Sequence, residues 1–326
     1  MKKFLDTPES LLEQSLLGLA QAHAGLLDYQ ASPRFVRRKQ AKPGKVVLIS
    51  GGGSGHEPLH AGFVGEGMLD AACPGQIFTS PTPDQMLAAA DSFKDHGGVL
   101  FIVKNYAGDV MNFELAAEML EAAHATVLVA DDVALPKDHP TGRRGVAGTL
   151  VVEKIVGAAA EAGADLATCQ ALGLRAAAVT ASMGVALTSC TVPAIGKPTF
   201  ALADDEMELG VGIHGEHGRE TVALSQASTI VARLLEPILE ELKPDAGQAV
   251  LLHVNGMGAT PLIELHALYH LAARNLTQHG LVVTRSLVGN YTTSLDMAGC
   301  SITVTLLDET LTTWWDAPVH TAALRW

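Results

Sequence analysis

Lys45-Val46-Val47-Leu48-Ile49-Ser50-Gly51-Gly52-Gly53-Ser54-Gly55-His56-Glu57-Pro58 runs from an apolar, β-branched segment straight into a cluster of glycines. The run Lys45 to Ser50 reads as a buried strand, and the glycines after it let the backbone approach a ligand and turn its N–H groups inward. Val99 to Lys104 and Ala125 to Ala130 read as two more strands of the same type. Helical segments separate them, one opened by the capping-box pattern Thr82-Pro83-Asp84-Gln85 and another over Phe113 to Ala123. A further helix is predicted over Thr149 to Ala162, and Thr7-Pro8-Glu9 caps a first one. Strands alternating with helices imply right-handed crossovers and a mostly parallel sheet.

After about residue 180 the texture changes. Phe200 to Gly212 is short, mixed and acidic, and a helix is predicted over Ser228 to Leu242 around Pro237. Strands follow over Ala249 to Val254, Leu281 to Val288 and Ser301 to Leu307, with a long helix from Thr260 to Thr277. This half reads as a mixed sheet with helices on one side. The expected organisation is therefore two α/β domains, 1–182 and 183–326. The first is a three-layer α/β/α domain on a mostly parallel sheet, and the second a smaller two-layer domain on a mixed sheet.

Composition narrows the class. Of 326 residues, 48% are hydrophobic and 17% charged, which suits a globular protein with a sizeable core. The net charge of −13 weighs against nucleic acid and anionic membrane surfaces as partners. Cys73, Cys169, Cys190 and Cys300 form no CxxC pair, which fits a reducing compartment and no zinc site. The N-terminus lacks a signal-peptide pattern and no long uncharged apolar run occurs, so a cytoplasmic protein is expected.

Three segments can carry chemistry. In the glycine run, no Lys-Ser/Thr follows the glycines and the GxGxxG and nucleophile-elbow spacings are missing, so the usual nucleotide and hydrolase templates do not apply. Lys104-Asn105-Tyr106-Ala107-Gly108-Asp109 also follows a strand and places a cation, an amide and a carboxylate at a turn. Both segments leave the carboxyl ends of parallel strands, where α/β sheets bind ligands. His56 and Asp109 are thus candidate proton acceptors and Lys104 a donor to substrate oxygens, with a helix N-cap as the competing role for Asp109. Asp131 and Asp132 end the next strand and could also reach the site, with helix or turn capping as the favoured role for both.

The third segment is Gly210-Val211-Gly212-Ile213-His214-Gly215-Glu216-His217-Gly218. Glycines on both sides bare the His214 imidazole, and Glu216 is a candidate partner for its second nitrogen. A nucleophile, a metal pair with His217 and an inert loop histidine all remain open from spacing alone. The other histidines, His60 among them, read as surface or packing residues. Gly142-Arg143-Arg144-Gly145 is a basic turn suited to a phosphate, an acidic partner or an intrachain ion pair.

Taken together, SGGGSGHEP (50–58), ACPGQIFTSPTPDQ (72–85), VKNYAGD (103–109), GRRGVAGT (142–149), CTVPAIGKP (190–198), LADDEMELGVGIHGE (202–216), SLDMAGCSITV (294–304) and WDAPVHTAAL (315–324) resemble the dihydroxyacetone-binding subunit of dihydroxyacetone kinase. The resemblance spans nearly the whole chain in the same order. Gln76 departs from it where a glutamate is expected, and His217 where a proline is common. It implies that His214 attacks the ketone carbonyl and holds the substrate as a hemiaminal. It further implies that His56 acts as acid and base, and that Asp109 activates the terminal hydroxyl. Gly53, Ser54, Gly55, His56, Lys104 and Asp109 would contact substrate. A covalent bond that needs a carbonyl discriminates against glycerol.

The resemblance also implies the two α/β domains, a homodimer, and no cofactor or metal in this chain. A separate nucleotide-binding subunit would donate the phosphoryl group, with magnesium, either from tightly held ADP that a phosphotransferase-system protein rephosphorylates or from ATP. A rival reading with the same ligand chemistry is a non-catalytic sensor that captures dihydroxyacetone and acts on a transcription regulator.

Overall fold

The computed structural model describes residues 2–326. In chain order the first elements are α1 (Pro8–Ala22), β1 (Leu27–Ala31), β2 (Arg34–Arg38), β3 (Val47–Ser54), β4 (Gly65–Glu66), β5 (Ala71–Ile77) and α2 (Pro83–Asp91). Then come β6 (Val99–Lys104), α3 (Ala107–Met119), β7 (His124–Val129), α4 (Gly148–Glu161), α5 (Leu166–Ala178) and β8 (Thr180–Ala186). The rest are β9 (Glu206–Leu209), β10 (Glu220–Ala223), α6 (Ala227–Leu242), β11 (Ala249–Gly256), α7 (Leu262–Gln278), β12 (Val282–Gly289), β13 (Gly299–Leu306), α8 (Glu309–Asp316) and β14 (His320–Thr321).

The chain forms a mixed α/β structure on two six-stranded sheets. It divides into two compact units, but not by one break near residue 182. The first unit comprises residues 1–129, 149–176 and 313–326, and the second comprises 130–148 and 177–312. Pairing explains the crossings. The C-terminal β14 pairs with β4, which returns the last residues to the first unit. Val133 donates its N–H to the Ser182 carbonyl at 2.9 Å, which ties the 130–148 segment to β8.

In the first unit the strand order is β1-β2-β5-β3-β6-β7. β5, β3, β6 and β7 run parallel to one another, while β2 pairs antiparallel with β5 and β1 antiparallel with β2 at one edge. β3 and β6 are buried along their whole lengths. Alternation decides which side chains meet which helix. Val47, Ile49, Ala71, Cys73, Val99, Phe101 and Val103 form one cluster with Met86 and Ala89 of α2 and Phe113 and Ala116 of α3. The predicted caps also form: Thr7 accepts from the Ser10 N–H at 3.2 Å, and the Gln85 amide oxygen accepts from the Thr82 N–H at 3.0 Å.

In the second unit the order is β10-β9-β8-β13-β11-β12, and only β11 and β12 pair in parallel. This is the mixed sheet read from the sequence. The stripe Ile230, Val231, Leu234, Leu235 and Ile238 on α6 recurs at helical spacing and packs into the same core as Leu265, Ala272 and Leu276 of α7. The α6 helix continues through Pro237. Among the described residues, no helix is long and apolar enough to cross a membrane.

Candidate active site

The glycines of the 51–54 run are strand, not loop. β3 continues through them to Ser54 and pairs with β5, Gly51 opposite Cys73 and Gly52 opposite Pro74. A side chain at Gly51 would strike the Cys73 carbonyl oxygen, so the absent Cβ is what allows the two strands to stay this close. Gly52 meets a different constraint. A Cβ there would collide with the Lys104 ammonium and lie 3.3 Å from Asp109 Oδ2.

Lys104 is the last residue of β6 and Asp109 lies in the first turn of α3, which begins at Ala107 and not, as the sequence suggested, near Phe113. Tyr106 occupies the N-cap position, so Asp109 is a first-turn carboxylate, a placement the helix dipole favours. Both side chains are buried, Lys104 at 0% and Asp109 at 1% exposure, and they form an ion pair at 3.5 Å. Lys104 Nζ also donates to the Gly51 carbonyl at 3.1 Å. Asp109 Oδ1 has no hydrogen-bond partner, which in a buried carboxylate marks an acceptor aimed at something else. Gly52→Ala is expected to cost about 1–3 kcal/mol of stability by overpacking. Gly18→Ala on α1, where a Cβ meets nothing within 4 Å, is expected to be neutral or slightly stabilising. Denaturant unfolding of the two variants checks the difference.

The remaining residues of the glycine segment divide into structural and open positions. Gly53 lies against the backbone of Phe78 and Thr79. Ser54 Oγ donates to the Gly75 carbonyl at 2.7 Å, so its hydroxyl proton is already used in holding β5. The Gly55 N–H donates to the Glu57 carboxylate at 3.1 Å. His56 is fully buried and stacks on Phe78, ring centroids 5.2 Å apart.

His60, a surface or packing residue by its sequence context, is buried directly behind Lys104. Its Nε2 lies 2.8 Å from Lys104 Nζ and its Nδ1 lies 2.6 Å from Glu153 Oε1 on α4. Ser50 Oγ, 3.0 Å from the same Nδ1, donates to the Ile102 carbonyl at 2.7 Å. Burial, and then the charges of Lys104 and His56, hold the His60 pKa well below the usual imidazole range. Burial pushes the Glu153 carboxyl up to about 8, against the pull of Ser50 and Lys104. No sequence pattern marks either residue, because their partners lie 44 and 93 positions away.

In the second unit, the loop after β9 carries His214, half-buried, between Gly212 and Gly215. Glu216, considered from sequence as a partner for the imidazole, accepts from the His214 main-chain N–H at 2.8 Å. Arg144 Nη1 holds that carboxylate at 3.1 Å, Arg144 Nη2 donates to the Gly210 carbonyl at 2.6 Å, and Arg144 Nε donates to Asp132 at 2.7 Å. Arg143 pairs with Glu241 at 3.0 Å. The basic turn is therefore an intrachain clamp on the loop that presents His214. Asp131 accepts from the Val146 and Gly148 N–H groups and Asp132 from that of Ala134, which are the turn-capping roles expected of them.

His217 is 71% exposed and lies 3.7 Å from Glu208, a loose pairing. Among the described residues, no group of three or more His, Cys, Asp or Glu side chains gathers as metal ligands would.

Residues 17–323 match the Dak1 domain family. The chain is 45% identical, over 100% of its length and 99% of the relative's, to the PEP-dependent dihydroxyacetone kinase, dihydroxyacetone-binding subunit DhaK of Escherichia coli strain K12. Among solved structures, the dihydroxyacetone kinase operon co-activator Dha-DhaQ superposes with a TM-score of 0.90 at 33% identity, covering 95% of this chain and 97% of that one. The dihydroxyacetone kinase of C. freundii superposes with a TM-score of 0.88 at 35% identity, covering 98% of this chain and 60% of that one.

Proposed function

The chain belongs to the Dak1 domain family, and from that premise we propose that it is the dihydroxyacetone-binding subunit of a dihydroxyacetone kinase. The observation that carries the proposal is the buried Lys104–Asp109 pair beneath Gly52, with Asp109 Oδ1 lacking a partner. An acceptor and a cation kept together out of water suit activation of a neutral hydroxyl.

The chemistry has two parts. The unprotonated ring nitrogen of neutral His214 attacks the ketone carbon, the carbonyl electron pair moves to oxygen and takes a proton, and the other ring nitrogen releases its own proton to leave a neutral hemiaminal. Arg144 and Glu216 fix the backbone from which His214 reacts. Asp109 then accepts the proton of the terminal hydroxyl as its oxygen attacks the donor phosphorus and the bond to the leaving phosphate breaks. Lys104 and the Gly53 N–H bind substrate oxygens beside Ser54 and Gly55, and His56 moves the proton exchanged at the carbonyl oxygen. Binding the ketone covalently holds the reacting hydroxyl still before transfer.

The phosphoryl donor in this proposal is a separate nucleotide-binding subunit that holds, with magnesium, either ATP or an ADP that a phosphotransferase-system protein rephosphorylates between turnovers. The working form is a cytoplasmic homodimer. A three-layer first domain and a two-layer second domain complete the reading. The clustering of alternate strand positions with α2 and α3 supports a covered face on the first sheet.

A second reading is favoured by the similarity to the co-activator structure: ketone capture without transfer. Turnover separates the two. Mixed with a nucleotide subunit and its donor, the chain is expected to yield dihydroxyacetone phosphate from dihydroxyacetone and no product from glycerol. Capture without product would favour the co-activator role.

A further inference from the structure

We propose that His60, backed by Glu153, is a positioning residue that aims the Lys104 ammonium at the substrate. The inference rests on the assignment of Lys104 as a ligand of substrate oxygens. An ammonium has three N–H bonds and can only donate. One goes to the Gly51 carbonyl at 3.1 Å and a second to His60 Nε2 at 2.8 Å. With two directions taken, the third is set by tetrahedral geometry. It falls on the side of Asp109, whose Oδ2 at 3.5 Å is an ion-pair partner and not a close hydrogen-bond acceptor. A substrate oxygen beside Asp109 completes the set.

The same donor logic fixes the imidazole. Because Nε2 accepts from Lys104, Nδ1 carries the proton and donates to Glu153 Oε1 at 2.6 Å. Ser50 Oγ, whose own proton goes to the Ile102 carbonyl, presents a lone pair to the same Nδ1–H. The donor-only Lys104 ammonium thus selects the tautomer, and Glu153 Oε1 accepts from Nδ1 either as a carboxylate or as the carbonyl oxygen of the acid. Burial keeps the ring neutral, so it does not repel the ammonium it orients. His60 is 5% exposed, and Ser50, Lys104 and Glu153 are fully buried. Glu153 Oε2 has no hydrogen-bond partner, a cost that apolar packing at this position would avoid.

Nitrogen-15 NMR of histidine-labelled protein tests the tautomer on the unaltered chain, with the His60 signals assigned by their loss in His60→Gln. The expected result is a protonated Nδ1 and a bare, hydrogen-bonded Nε2; a protonated Nε2 overturns the proposal. Calorimetric titration with dihydroxyacetone tests the consequence. His60→Leu removes the acceptor and is expected to weaken binding by about 10-fold or more, the scale of one hydrogen bond to a charged group. His60→Gln returns an amide oxygen near the place of Nε2 and is expected to recover affinity to within about 3-fold of the unaltered protein. Equal losses in the two variants would mean a packing role only, and a folded His60→Leu with unaltered affinity would mean no role. If His60→Leu does not fold, the tautomer measurement decides alone. If the unaltered chain binds no dihydroxyacetone, the functional assignment fails, whereas a wrong tautomer beside normal binding fails this inference only.

Discussion

His214→Ala is expected to abolish ketone capture and to lower phosphoryl transfer by about 10³-fold or more in kcat/KM, since the covalent bond supplies the positioning that makes transfer effectively intramolecular. The loss should be specific. His214 is half-buried on a loop, so removing its ring opens no large cavity in the core. The loop itself is held from the backbone and from neighbouring side chains, by Glu216 at the His214 N–H and by Arg144 at the Gly210 carbonyl. The variant should therefore melt close to the unaltered protein while binding dihydroxyacetone no better than glycerol. Calorimetric titration with both ligands checks this.

Asp109→Asn should separate capture from transfer. The amide keeps the shape of the carboxylate but takes no proton, and loss of a positioned base costs about 10²–10⁴-fold in rate. Binding of dihydroxyacetone should survive, because in the proposed mechanism His214 holds the carbonyl. The substitution also leaves Lys104 without its anion in a buried place. Removing one partner of a buried pair costs about 3–5 kcal/mol, softened here because Lys104 keeps the Gly51 carbonyl and His60. A lower melting temperature with normal capture and slow transfer is the expected combination. Slow transfer accompanied by lost capture would mean that Asp109 acts on binding instead.

The two kinds of residue were not equally visible in the sequence. β6, β11 and α6 stand out because apolar runs and helical stripes are local signals. The β1–β2 hairpin does not, since Leu27–Ala31 and Arg34–Arg38 carry mostly polar or charged side chains at the edge of a sheet. β3 was read as ending at Ser50, because a glycine run ordinarily stops a strand. Here the close approach of β5 requires glycine and the strand continues. The return of residues 313–326 to the first unit was hidden for another reason. It depends on the short β4–β14 pairing between segments about 250 positions apart.

Lys104, Asp109, His56 and His214 stand out in the sequence because each lies at or just past the end of a strand in a segment that holds glycine. His60 and Glu153 do not. His60 follows a leucine in an unpatterned stretch, and Glu153 reads, beside Lys154, as one of the few polar positions on a mostly apolar helix. Contacts that far apart in the chain become visible only when the fold joins them. The Arg143-Arg144 turn illustrates the converse: the sequence left three partners open, and Asp132, Glu216 and Glu241 turn out to take it.

Carbon-13 NMR of dihydroxyacetone labelled at its central carbon, bound to the protein, is the most direct test of covalent capture. The bound carbon should leave the ketone region for a tetrahedral-carbon signal distinct from the free hydrate, and in the presence of His214→Ala no such signal should form. A bound carbon that keeps its ketone shift in the unaltered protein, or the same tetrahedral signal in His214→Ala, would contradict it.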